Sequence, residues 1–183
     1  FAQALAENRF GIQLDALHPE LDSREPSDFL PAPGSQAATR IARHTVGLAD
    51  PLTAADIGDD DRADDGLPQA LEDCIRVYGL DWFKVKVCGD LDTDLERLAT
   101  LAELFTNLVP AYHFTLDGNE QLQTMEAFRE YWEQCANDQR LEDFLSPTHL
   151  LFIEQPLHRD AALGGHVAQG IASWDDAPPL IID

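Results

Sequence analysis

Only two lysines occur in this chain of 183 residues, Lys84 and Lys86, against ten arginines. They stand two apart in a strand-like run, Trp82-Phe83-Lys84-Val85-Lys86-Val87. Side chains at i and i+2 of a strand share a face. Two ammonium groups that close repel, so at least one should lose its proton more easily than a free lysine. A lysine of that kind is a usable general base near neutral pH. A KxK pair taken alone is more often two surface lysines on an edge strand. Three carboxylates set this pair apart. Asp117, Glu154 and Asp183, like Lys86, stand at or just past the ends of strand-like runs, at successive separations of 31, 37 and 29 residues. Each interval fits one strand plus one helix. In a parallel barrel the C-terminal strand ends open on one face, where active sites lie. Four repeats would then deliver two amines and three carboxylates to one pocket. Three carboxylates from separate strands suit a hard divalent cation such as Mg²⁺. A lysine pair beside such a cation could take up a proton while the metal offsets negative charge.

The elements needed to hold these residues can be read from hydrophobic spacing. Helical patterns run over Leu67–Tyr78, Leu91–Leu108 and Thr124–Asn137, with room for a short helix on to Leu145. Asp160–Ser173 is partly helical, weakened by Gly164-Gly165. Short apolar runs predict strands at His44–Ala49, Trp82–Val87, Tyr112–Leu116, His149–Ile153 and Leu180–Ile182. Helices alternating with buried strands predict a parallel α/β architecture. Phe1 to about Leu17 has helical spacing and is followed by an irregular stretch holding Pro19, Pro26, Pro31 and Pro33. The acidic segment Asp56–Asp65 lacks the Gly and Glu placement of an EF-hand and reads as a solvated loop.

The runs Phe83-Lys84-Val85-Lys86-Val87, Leu116-Asp117-Gly118-Asn119, Phe152-Ile153-Glu154-Gln155-Pro156 and Leu180-Ile181-Ile182-Asp183 together resemble the enolase superfamily. More narrowly, they resemble its muconate-lactonizing-enzyme and mandelate-racemase-like members. The resemblance covers about Leu67 to Asp183. It implies a TIM-type (β/α) barrel, here its first part (44–183), preceded by the exit segment of an α+β capping domain (1–43). It implies that Lys86 is the base and that Lys84 lowers its pKa and helps bind the substrate carboxylate. It makes Asp117, Glu154 and Asp183 the Mg²⁺ ligands, with Asn119 and Gln155 lining or supporting the site. The activity implied is that of an isomerase or lyase working through a metal-stabilised enolate, by racemisation, epimerisation or cycloisomerisation. An aspartate at the third ligand position favours the muconate-lactonizing or epimerase side. An acid-sugar dehydratase of the same superfamily and a non-catalytic acidic scaffold are the alternatives. The chain departs from the family pattern in its long interval from Asp117 to Glu154, which suggests an insertion around Asp138–Pro147. The opposing acid/base lysine and the later barrel strands are not in the chain, which reads as part of a longer polypeptide.

Composition limits the partners. A formal net charge of −22 argues against nucleic acid and anionic membrane surfaces. The sequence has no apolar run of transmembrane length and no signal-peptide pattern at Phe1–Glu7. Cys74, Cys88 and Cys135 form no CxxC, which fits a reducing, cytoplasmic setting and small apolar roles. The expected partner is a small-molecule carboxylate, and a homo-oligomer is allowed. His158-Arg159-Asp160 resembles a kinase catalytic triplet, but no Gly-rich loop or DFG accompanies it, and it reads as the opening of a helix. His113 and His149, inside strands, read as packed or rim residues. No GxSxG, P-loop or dinucleotide fingerprint is present.

Overall fold

A computed structural model of the chain describes residues 2–30, 41–63 and 65–182. The chain divides into two compact units, Phe1–Ile41 and Ala42–Asp183. In the first unit a short helix, α1 (Ala2–Ala6), is followed by single 3-10 turns at Pro19–Leu21 and Pro26–Asp28. The helix expected to reach Leu17 stops far earlier. Asn8 takes a left-handed φ of 48°. Its side chain accepts from Ile12 N–H at 2.7 Å and donates to the Ile12 carbonyl at 3.1 Å. A side chain that satisfies the backbone locally competes with the helix, and here the turn wins. Pro31 and Pro33 lie outside the described residues.

The second unit is built on a five-stranded parallel sheet in sequential order. Its strands are β1 (His44–Val46), β2 (Trp82–Lys86), β3 (His113–Asp117), β4 (Leu150–Glu154) and β5 (Leu180–Ile181). The helices between them are α2 (Leu71–Tyr78), α3 (Leu91–Leu108), α4 (Met125–Asn137), α5 (Arg159–Ala162) and α6 (Gly165–Ala172). The expected α/β class and parallel sheet are therefore present. Among the described residues no helix is long and apolar enough to cross a membrane.

Local chemistry sets the helix ends. Asp90 accepts from Thr93 N–H at 3.0 Å and caps α3, and Thr124 accepts from Ala127 N–H at 3.1 Å and caps α4. Helix α2 starts four residues later than its spacing suggests. The N–H groups of Leu71 and Glu72 are taken by the carbonyls of Pro51 and Leu52, and Ala70 before them is extended, so the helix begins there. Residues 139–149 form turns, where a short helix seemed possible. Leu141 and Phe144 from this segment are buried, and Phe144 stacks on Phe114 at 4.2 Å. The long Asp117–Glu154 interval thus holds a turn-rich segment that contributes to the core. Gly164 separates α5 from α6 as the cap of the second helix. The acidic segment carries single 3-10 turns at Ala54–Asp56 and Asp59–Asp61 and is mostly exposed.

Alternation along the strands separates two faces. Phe83, Val85, Phe114, Leu116 and Ile153 are buried in one hydrophobic cluster with Leu98, Leu101 and Phe105 of α3 and Phe128 of α4. Phe83 stacks on Phe105 at 4.1 Å. The opposite face carries Lys84, Lys86, Thr115, Asp117, Phe152 and Glu154. Register aligns them, with Lys84 beside Thr115, Lys86 beside Asp117, Thr115 beside Phe152 and Asp117 beside Glu154. The last pairing depends on an irregularity. Phe114 pairs with Leu150 but Thr115 pairs with Phe152, so Leu151 is an extra residue in β4. Without this bulge the register would put apolar Ile153, not Glu154, beside Asp117.

Candidate active site

The functional side chains gather at the C-terminal ends of β2, β3 and β4, on the face turned away from α3 and α4. Lys84 Nζ lies 2.8 Å from Asp117 Oδ2 and 3.4 Å from Glu154 Oε2. One ammonium is therefore shared by two carboxylates from adjacent strands. Lys86 Nζ is 3.8 Å from the same Asp117 oxygen and donates to Asn119 Oδ1 at 2.7 Å. Asp117 and Glu154 are buried, whereas the two lysine side chains keep roughly a quarter to a third of their surface exposed, 24% and 33%. The carboxylates are walled in while the amines remain reachable, as a site for a small molecule requires.

The loops after β3 and β4 are interlocked, which accounts for the Asp-Gly-Asn and Glu-Gln-Pro runs. Gly118 N–H donates to Glu154 O at 2.9 Å, and Glu120 N–H donates to Gln155 O at 2.8 Å. A Cβ on Gly118 would fall 2.6 Å from Pro156 Cα and 2.9 Å from Gln155 O, so only glycine fits. Asn119, Glu120 and Gln155 all hold left-handed φ angles, of 47°, 60° and 46°. Such backbone costs energy in non-glycine residues and gathers at functional sites. Asn119 is held by Asp117, whose Oδ1 accepts its N–H and whose carbonyl accepts its side-chain amide, both at 3.0 Å. This fixes the oxygen that receives Lys86. Gln155 donates its N–H to Ile181 O at 3.0 Å, tying β4 to β5.

Beneath β2 lies a second anchor. Asp94 of α3 is 1% exposed and accepts from Cys88 N–H at 3.0 Å, Gly89 N–H at 2.8 Å and Tyr131 O–H at 2.9 Å. This carboxylate fixes the turn that leaves Lys86.

The structure thus brings Lys84, Lys86, Asp117, Glu154 and Asn119 together, with Gln155 contributing backbone contacts. Asp183 lies outside the described residues. Lys84 holds its proton more firmly than a free lysine. Its hydrogen bond to Asp117, reinforced by the charges of Asp117 and Glu154, raises its pKa and outweighs partial burial. The carboxylates overcome the repulsion expected from the neighbouring lysine.

Two participants had not been anticipated. Arg43, just before β1, donates from Nη1 to Thr115 Oγ1 at 2.8 Å and places Nη2 3.4 Å from Glu154 Oε1. Thr115, fully buried, donates to that same oxygen at 3.3 Å. Thr115 could have been found by counting two residues back from Asp117 on the same face. Arg43 has no comparable local signal, because its partners lie 72 and 111 positions away. His113 and His149 pack as expected, against Trp82 at 4.5 Å and Tyr112 at 4.0 Å. His158 caps α5, and Arg159 pairs with Glu120, so the kinase-like triplet opens a helix.

Comparison with protein-family models, curated proteins and solved structures finds no match to this chain. Among the described residues no three His, Cys, Asp or Glu side chains form a metal-binding group. Asp117 and Glu154 are two of the three expected ligands. Both direct an oxygen at one positive charge, the Lys84 ammonium, and so already act as a shared cation cradle. The donors are oxygen only, buried and anionic, which fits magnesium.

Proposed function

We propose that this chain carries a metal-binding and general-base site of the enolase-superfamily type, acting on a small carboxylate substrate through an enolate. The observation that carries the reading is the convergence of Asp117 and Glu154 on one cation, with Lys86 on the same face. Asp183, two positions beyond the β5 residue in register with Glu154, is the third ligand in this reading. The sequential strand order supports a (β/α) barrel as the parent architecture. So does the reach of Arg43 on the β1 side to Glu154 on β4. Three strand spacings separate them by about 14 Å in a flat sheet, and their charged ends meet at 3.4 Å. A sheet curled toward this face explains that contact.

The chemistry assigned to each residue follows from its position. Lys86, as the base, takes the proton from the carbon next to the substrate carboxylate. The electron pair left behind spreads onto the carboxylate oxygens. Mg²⁺ held by Asp117, Glu154 and Asp183 would offset that negative charge. Asn119 aims the Lys86 amine. Lys84, which stays protonated, supplies a positive charge for the substrate carboxylate once the metal has displaced it from between Asp117 and Glu154.

The test is solvent deuterium exchange at the α-carbon of a panel of 2-substituted carboxylates, followed by proton NMR with Mg²⁺ present. Exchange should occur with at least one member and disappear in Lys86→Ala. Equal exchange in that variant would remove Lys86 as the base. Cation binding with no exchange on any substrate would favour the non-catalytic scaffold.

A further inference from the structure

We propose that Arg43 is a positioning residue that makes Glu154 a one-oxygen ligand and so biases the Asp117–Glu154 site toward Mg²⁺ over Ca²⁺. The inference rests on the metal-site reading above and deepens it. The two oxygens of Glu154 have different neighbours. Oε1 faces Arg43 Nη2 at 3.4 Å and accepts from Thr115 Oγ1 at 3.3 Å. Oε2 faces Lys84 Nζ at 3.4 Å, and that ammonium also touches Asp117 Oδ2. One oxygen is therefore held by the residues behind the carboxylate, and the other is offered to the cation shared with Asp117.

The Thr115 hydroxyl makes this division directional. It accepts from Arg43 Nη1 at 2.8 Å, and a guanidinium can only donate. The single hydroxyl proton of Thr115 is thereby left for Glu154 Oε1. Arg43 also sits over the Phe152 ring, 5.8 Å from its centroid. Thr115 is fully buried and cannot swing to another partner in water.

Ion chemistry supplies the consequence. Mg²⁺ demands a compact octahedron and takes few protein oxygens, whereas Ca²⁺ accepts six to eight and commonly binds a carboxylate through both oxygens. A glutamate whose second oxygen is occupied suits the first ion and handicaps the second. Residues that orient metal ligands from behind alter affinity by about 10–100-fold when removed.

The experiment is calorimetric titration of MgCl₂ and, separately, CaCl₂ into the protein and into Arg43→Met. Met fills a comparable volume without charge or hydrogen bonds. Loss of a positive charge strengthens both divalent ions alike, so the ratio of affinities is the readout. The Ca²⁺-to-Mg²⁺ affinity ratio should rise about tenfold or more in Arg43→Met. It should rise in the same direction, by less, in Thr115→Val, which covers failure of the arginine variant to fold. Circular dichroism reports folding for both. An unchanged ratio in a folded variant that still binds Mg²⁺ overturns the role of Arg43 and leaves the metal site standing. Failure of the unaltered protein to bind either ion overturns the metal-site reading and this inference with it.

Discussion

Replacing Gly118 by alanine should damage the protein in a way that exposes how the site is held together. The added methyl would sit 2.6 Å from Pro156 Cα, 2.9 Å from Gln155 O and 3.1 Å from Pro156 N. All three are backbone atoms, so no flexible side chain can step aside. The shortest contact is about 1 Å inside an ordinary carbon–carbon separation. Relief requires the loops after β3 and β4 to part, which stretches the Gly118 N–H to Glu154 O bond of 2.9 Å. Overpacking of this kind costs about 1–3 kcal/mol. Because the loop movement begins next to Asp117 and Glu154, cation affinity should fall with stability. Urea unfolding followed by circular dichroism measures the first, and Mg²⁺ titration of the folded variant measures the second. A variant as stable as the parent, with undiminished Mg²⁺ affinity, would refute the claim that the two loops are locked by close approach.

Two further outcomes follow from contacts away from the cation. Asp94→Ala leaves the N–H groups of Cys88 and Gly89 and the hydroxyl of Tyr131 without their acceptor. It should cost about 2–5 kcal/mol in urea unfolding, against about 1 kcal/mol for Tyr131→Phe, which removes one donor; equal losses would show that Asp94 does not anchor the turn. The Glu120 carboxyl, hydrogen-bonded by the side chain and N–H of Arg159, has a pKa lowered to about 2. Its contribution to stability is therefore complete above its ordinary range near 4.5 and fades as pH falls toward 2. An NMR titration of the carboxyl should place its midpoint near that lower value and return it toward the ordinary range in Arg159→Ala.

Much of the second unit was legible because its signals are local. The apolar spacing of Leu91, Leu95, Leu98, Leu101, Ala102 and Phe105 marked α3 from Leu91 to Leu108. Thr124 announced α4. The alternation of short apolar runs with helices announced a parallel sheet. The i, i+2 rule placed Lys84 and Lys86 on one face, and their meeting with Asp117 and Glu154 followed from the shared strand ends.

What escaped the sequence was decided by contacts distant along the chain or by competition between local ones. The bulge at Leu151 sets which residue faces Asp117, and nothing in Leu150-Leu151-Phe152 advertises it. Arg43 reaches Thr115 and Glu154 only because the sheet brings them near. The raised proton affinity of Lys84 comes from two carboxylates on neighbouring strands, which the run Trp82–Val87 does not reveal by itself. Near the N-terminus, helical spacing was read through Asn8, whose side chain turns the backbone instead.

The most direct measurement is anomalous diffraction from crystals grown with Mn²⁺, an ion that shares the oxygen preference of Mg²⁺. The account predicts one strong peak between Asp117 Oδ2 and Glu154 Oε2, in the region taken by Lys84 Nζ, with that ammonium shifted aside and Asp183 contributing an oxygen. A peak at other carboxylates, or an Asp117–Glu154 pair still closed on Lys84 at saturating Mn²⁺, would contradict it.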